Sequence, residues 1–572
     1  MTTEMKKTII SILMAFAIAC PDIFAGIPAE ERTYISTDRQ IYMAGDEIRC
    51  SAFCIDVSDG IRLSEVSALA YVELHSAEGL ACTAKIALIG GRGAGAVKLP
   101  KSLPTGNYRL FAYTALNKSE KGYDYMQSCK TVSIFNPYTD ARVKGGVEIV
   151  ANSEYGIPAA SDNAAASGEL QITAGKTASI NSETDIQLSN LSAVPASLSV
   201  SVVLNDGMIS PLQDDVVSFA EHAGKPDVVT YKDGTIPEYE GEIIHARVSG
   251  ISPENMNVLN GKFAFISAPG DKSDVYSTSV EPDGTMSFFT NNIYGDKDLV
   301  CEIEDIPDDI PCHIEIIPAF ANPDVTGIES LKICPGLESK LTRRSLNSQV
   351  EHAFASDTLL EFLPVRENLL FRSDGVTYKL DDYTRFPLMT EVISEFVTEL
   401  RAKKRGGKRE LSVMYDKDNL GNIQYSRQSA LVMLDGVPVF DHDKILEYDP
   451  LLVESINIYD GVSFIGNRSY EGIANFVTYK RNLPSLKFGG NVRVHSFQGA
   501  SVPSAFTCSQ LPDGYPDYRT TLYWHPEVDL EPGESLTIRC KTPGYEGNFD
   551  IIVEGIGRDG RPIMQKATFK VE

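Results

Sequence analysis

The chain has 572 residues, 43% hydrophobic and 23% charged, and its 78 acidic against 52 basic side chains leave a net charge of −26 and a pI near 4.8. A chain of this length outgrows a single core and predicts about four domains. The acidic balance repels phosphate backbones and anionic head groups, which sets aside nucleic-acid binding and charge-driven adsorption to membranes.

At the N-terminus, Lys6 and Lys7, the apolar run Ile9 to Ala19, Pro21 and Ala25 follow the order of a bacterial-type signal peptide, with cleavage expected between Ala25 and Gly26. The run is too short to span a bilayer, and no other stretch reads as transmembrane. Ala17-Ile18-Ala19-Cys20 is an alternative signal, a loose lipobox in which Cys20 would carry the lipid. Export permits disulfides. Cys301 and Cys312 flank EIEDIPDDIP between two strand-like runs, and Cys508 and Cys540 share the last domain; each pair is a candidate bridge or two buried free thiols.

From Tyr34 to Pro137 short alternating runs, such as Ala70 to Leu74 and Tyr108 to Tyr113, are punctuated by Gly, Pro and Asn, the pattern of a β-sandwich. Tyr34-Ile35-Ser36-Thr37-Asp38-Arg39, then Tyr42 and Gly45-Asp46, resemble the opening of a macroglobulin-type domain of the alpha-2-macroglobulin family, and LPTGNYRLFAY from Leu103 resembles a later strand of it. The resemblance implies a sandwich over 26–140. The Ala-, Ser- and Gly-rich stretch within 141–168 reads as a linker. Leu198 to Val203 marks a second macroglobulin-like sandwich over 169–236. Glu238 to Gly250 and the turn Pro282-Asp283-Gly284 before an alternating strand resemble the prealbumin-like regulatory domain of carboxypeptidases, over 237–325.

Helical signals begin after Pro335. Ser345 to Ala355 is a short candidate, and Pro387 to Lys404 is the best-defined helix, with Met389, Val392, Ile393, Phe396, Val397 and Leu400 on one face. Its basic end, Arg401 to Arg405, reads as a solvated terminus that complements the helix dipole. Strands Leu411 to Tyr415 and Ala430 to Leu434 and a helix from Lys444 to Tyr448 complete a change to α/β structure.

Within it, Leu431 to Pro438, Asp449-Pro450 with Val453 to Ile458, and Gly461, Gly466 and Gly472 to Lys480 resemble, in order, the motifs of the plug domain of TonB-dependent outer-membrane receptors. The module is expected over 326–485. A receptor barrel of about 22 strands, each about 10 residues long, does not fit in the 92 residues after Lys480, so transport through a barrel of its own is not expected. The order of modules resembles that of large envelope proteins of the Bacteroidetes. A last Ig-like sandwich is expected over 486–572, where Trp524 is a core anchor or, alternatively, a stacking platform.

No constellation in the sequence converges on catalysis, and neither an enzyme activity nor a cofactor or metal is expected. The eight histidines are scattered; Asp441-His442-Asp443 is the densest titratable group and reads as a solvated helix cap. Gly90 to Gly95 lacks the Lys-Ser/Thr of a phosphate loop, and Asp416 to Gly421 lacks the bidentate Glu of a calcium loop. The Cys-Gly-Glu-Gln thioester on which trapping depends in the macroglobulin family is absent. The expectation is a mainly β, multidomain, exported envelope protein of the periplasm or outer membrane that binds other envelope proteins, in which the plug-like module docks a partner or an outer-membrane complex through Asp435, Gly436, Val437, Pro438, Gly461, Gly466 and Glu471. Alternatives are a protease inhibitor or hydrolase with a site between domains, and a surface adhesin or glycan binder.

Overall fold

The computed structural model describes residues 30–572 except 59, 127–128, 156–168, 209–214, 224–228, 233, 271–273, 308, 355–359, 366–374, 418–422, 427 and 508–513. Cys20, Ala25, Gly26 and Cys508, and with them the leader and the candidate Cys508–Cys540 bridge, lie outside the described residues. The protein is mainly β and multidomain. Among the described residues no helix is long and apolar enough to cross a membrane.

The first sandwich sets Glu31–Thr37, Glu47–Asp56, Arg62–Leu63 and Arg92–Lys98 against Ile41–Met43, Leu69–Ser76, Gly79–Ala87, Gly106–Tyr113 and Lys130–Phe135. Along Glu47–Asp56 the period-2 alternation sends Ile48, Cys50, Ala52 and Cys54 between the sheets and Phe53 and Ile55 outward. The outward pair is buried too, against Phe219 and Ile556 from far along the chain. In the stretch expected as a linker, Val147–Ile149 pairs in parallel with Leu331–Ile333.

The second sandwich corrects two expected domains at once. Leu170–Ala174 and Glu183–Asn190 share a sheet with Ser535–Lys541, while Ala196–Asn205 lies between Thr521–Leu530 and Gly547–Gly557. One core joins Ile186, Leu198 and Val200 to Leu522, Phe549 and Ile551. Residues 170–205 and 521–571 are therefore halves of a single sandwich, because each presents an apolar face that the other covers.

A third sandwich sits inside the second in sequence. Thr285–Phe289, Ile243–Ser249 and His313–Ile316 form one sheet; Asp274–Ser279, Phe263–Ala268, Asp296–Ile303 and Arg493–Gln498 form the other. The last strand arrives only after the α/β module, so that module is inserted in the third sandwich as the third is inserted in the second. The expected unit 237–325 is thus completed from outside its bounds. Cys301 and Cys312 are both free and buried in its core, and Cys540 is buried in the core of the second. The two strand-like runs that Cys301 and Cys312 flank do not pair with each other, since Cys301 lies in one sheet and Cys312 leads into the other.

The α/β module has a five-stranded sheet in the order Val376–Lys379, Val453–Ile465, Arg468–Thr478, Leu431–Leu434, Val437–Pro438. Helices Met389–Glu395 and Asp443–Leu446 cover one face. The expected helix 387–404 stops early: Leu400–Arg405 is a strand paired with Lys408–Lys417, although Met389, Val392, Ile393, Val397 and Leu400 all enter one core. The short candidate at 345–355 is the end of a longer helix, Glu338–Phe354. The other face of the sheet is covered by the third sandwich, where Leu431, Met433, Ile465, Tyr470 and Ile473 meet Phe265 and Val275. Burying a side chain of that size stabilises by about 1.5–3 kcal/mol.

Candidate functional site

The residues expected to face a partner are mostly turned inward. Asp435 has φ +48 and 0% exposure, and its carboxylate accepts from Thr478 N–H at 2.6 Å, Thr478 Oγ1–H at 2.7 Å and Leu483 N–H at 2.8 Å. Gly436 N–H donates to Asn475 Oδ1 at 3.1 Å, and Val437 packs on Val300, Val492 and Leu483. With Pro438 also buried, Asp435, Gly436, Val437 and Pro438 form an internal joint, because a fully buried carboxylate that already accepts three hydrogen bonds presents no open face to a partner. The Gly466 turn meets the third sandwich: a Cβ there would lie 2.1 Å from Ser277 O, and Ser277 Oγ–H donates to Ile465 O. Glu471 accepts from Ser426 Oγ–H. Gly461, with φ +82 and no heavy atom near its Cβ direction, sits in the bulge between Tyr459 and Val462.

The other singled-out residues are also structural. Trp524 is 1% exposed, in a cluster with Ala94 and Phe506, so it is not a stacking platform. His442 is buried, not solvated; Nδ1 accepts the Leu411 N–H at 2.9 Å, and burial holds its pKa below the ordinary value. Its neighbour Asp443 is bound by Arg409 at 2.5 Å. Among the described residues no group of three His, Cys, Asp or Glu side chains has metal-binding geometry.

Sequence reading missed a buried polar seam on the outer face of the first sandwich. Glu73 and His75 are both fully buried; His75 Nε2 lies 2.7 Å from one carboxylate oxygen, while Tyr113 O–H (2.5 Å) and the N–H groups of Ala321 (2.9 Å) and Asn322 (3.1 Å) donate to the other. Burial pushes the Glu73 pKa up, but these hydrogen bonds outweigh it and leave it below the ordinary range. Tyr71 stacks on Tyr113 at 5.6 Å and donates to Glu238 at 2.8 Å. Lys85 Nζ donates to both oxygens of Glu242, at 2.7 and 2.8 Å, and lies 4.2 Å from the Phe497 ring centroid. The seam joins the first sandwich to the third. Its members are isolated polar residues in apolar strands, and only their unusual number of buried charges, visible after folding, marks them.

A second missed feature is the basic hairpin. Arg401 to Arg409, RAKKRGGKR, turns at Gly406 and Gly407, both at positive φ (+57 and +91), as a two-residue type I′ turn requires. The Gly-Gly pair between similar runs was the available signal. Elsewhere, a groove of about 390 Å³ lies between the first sandwich and the helix Glu338–Phe354, with Met43, Phe135 and Leu341 on its floor and Asp140 and Arg142 at its rim.

These features describe a mainly β multidomain protein whose modules are locked by buried seams. No protein-family profile and no curated protein matches the sequence. Among solved structures, the native conformation of alpha-2-macroglobulin from E. coli aligns at 7% identity and a TM-score of 0.24 over 95% of this chain and 40% of that one. Trypsin-activated alpha-2-macroglobulin from Escherichia coli aligns at 8% and 0.23 over 96% and 42%, and the Escherichia coli adhesin FdeC at 10% and 0.14 over 47% and 58%. The chain spans about 40% of the length of these two macroglobulin chains.

Proposed function

We propose that the protein is an exported, non-catalytic binding protein of the cell envelope, a rack of interlocked β domains that holds its exposed edges and loops in fixed positions for other envelope macromolecules. The observation that carries this reading is the interlocking itself. Three modules nested in sequence are tied to one another by buried apolar contacts, and to the first sandwich by polar pairs such as Lys85 with Glu242, Arg39 with Thr520 (2.5 Å) and Ser51 with Pro526 O (2.8 Å). Such seams suppress relative motion between domains, which favours presentation of a fixed surface over closure around a substrate. The leader-like N-terminus supports export. The likeness of Leu431 to Lys480 to a receptor plug then stands for a borrowed fold that serves as an internal brace. In-cell crosslinking with mass spectrometry after fractionation tests this: the expected outcome is crosslinks from surface lysines to envelope proteins. Recovery of the chain in the cytosol, or as a free monomer with no crosslinked neighbour, overturns it.

A further inference from the structure

We infer that the free edge of strand Leu400–Arg405 is a docking site for an acidic, extended segment of a partner protein, added as a further β-strand; this rests on the binding reading above and names the partner's chemistry. Six of the nine residues from Arg401 to Arg409 are Lys or Arg, in a chain of net charge −26. The hairpin is anchored by Leu400, Leu411 and Val413, which are buried in the core of the module, while Arg401, Lys404 and Lys408 are exposed. Among the described residues its carboxylate pairs run through Arg409, to Asp443 and Glu447. Arg401 and Lys403 are instead held over the ring of Tyr425, at 5.6 and 5.5 Å from its centroid, and that ring is fixed by its own O–H bond to Thr398 O at 2.9 Å. The cations are thus arrayed before any partner arrives.

The backbone adds direction to the charge. Because the turn has two residues, Arg405 and Lys408 form a hydrogen-bonded pair, and alternation then points the N–H and C=O groups of Ala402 and Lys404 away from Lys408–Lys417. Among the described residues that edge has no strand on it: the sheet order is Leu400–Arg405, Lys408–Lys417, Ile423–Tyr425. One or two lysines suffice to keep an edge from aggregating. A strand of opposite charge satisfies both the outward backbone groups and the cations, the mode of β-strand addition. A second copy of this strand would set cation against cation. A membrane or nucleic acid would bring the acidic remainder of the chain against an extended anionic surface, whereas a single peptide engages the hairpin alone within a Debye length of about 8 Å.

The test is titration of the purified full chain with an alternating Glu-Val decapeptide, its Lys-Val counterpart, and vesicles containing phosphatidylglycerol. Expected are binding of the acidic peptide only, weakened by salt; a loss of about tenfold or more in K403E/K404E and in A402P, which removes an outward N–H without touching charge; and no change in the surface control K144E/K332E. In the unaltered protein the peptide slows amide exchange over residues 400–405, a readout independent of how the variants fold. Full affinity in A402P with unchanged exchange overturns strand addition, and vesicle binding lost in K403E/K404E overturns the peptide in favour of a lipid surface. Either failure leaves in-cell crosslinks from other surfaces intact, so it is distinguishable from failure of the binding reading.

Discussion

Glu238 is 2% exposed where the third sandwich meets the first, with Tyr71 O–H at 2.8 Å and Ile243 N–H at 2.9 Å on one oxygen. Burial pushes its pKa from an ordinary 4.5 up to about 7; the neighbouring Glu242 adds to the rise, while the two hydrogen bonds and Lys85 oppose it. A folded pKa above the unfolded one means that the native state holds a proton the unfolded chain has released. Stability is therefore greatest below the ordinary value and declines as pH rises from about 4.5 through 7. E238Q keeps the shape and the acceptor oxygen but cannot ionise. Denaturant unfolding at pH 5 and pH 8 is expected to show wild type losing stability relative to E238Q by on the order of 3 kcal/mol. An identical pH dependence in the two proteins would assign the seam's pH sensitivity elsewhere. None of this was legible in the sequence, where Glu238 is one acidic residue among 78.

At the scale of elements, the sequence was a good guide to burial and a poorer one to partnership. Met389, Val392, Ile393, Val397 and Leu400 do share one core, as their spacing predicted, but the helix ends at Glu395 and the last of them enters from a strand. Helical spacing and a turn followed by a strand bury the same residues, and Gly406-Gly407 was the cue that separates the two. Asp435-Gly436 shows the converse. The Asp-Gly pair makes a tight turn between Leu431–Leu434 and Val437–Pro438, yet turn chemistry says nothing of what packs over it, and here it is the third sandwich, with Gly270 N–H on Asp435 O at 3.2 Å. The Gly466 turn offers the sharpest test of that contact. In G466V the new Cβ meets Ser277 O on a backbone at φ +57, so a loss of about 2 kcal/mol or more is expected. Hydrogen exchange should rise in Asp274–Ser279 and Val453–Ile465 while the core of the first sandwich is unaffected.

For the whole molecule, the strands were largely visible as alternating runs, but their pairing was not. Ser201 faces Trp524 and Thr184 faces Cys540 across more than three hundred residues, and no local pattern encodes a partner at that separation. The serial order of domains read from the sequence predicts that 30–485 and 486–572 fold independently. The nested architecture predicts that neither does: the first lacks the C-terminal strands over Ile186, Leu198 and Val200, and the second holds an incomplete core. Expressed separately, the fragment 486–572 should lack a cooperative thermal transition, which near-ultraviolet circular dichroism can follow through its Trp524. A cooperative transition in 486–572 alone would restore the serial reading.

The same nesting imposes an order in time. A chain delivered from its N-terminus can close its first sandwich as soon as Lys130–Phe135 emerges, but the sheet edges of Glu183–Asn190 and Ala196–Asn205 wait for strands that arrive last. Contacts of that sequence separation form slowly. Through that interval the α/β module must fold first, then the third sandwich around it, then the second around both. Pairing of Pro562–Val571 with Gly547–Gly557 thus acts as a seal on the second sandwich, and a chain stopped short of it carries an open sheet edge along Gly547–Gly557.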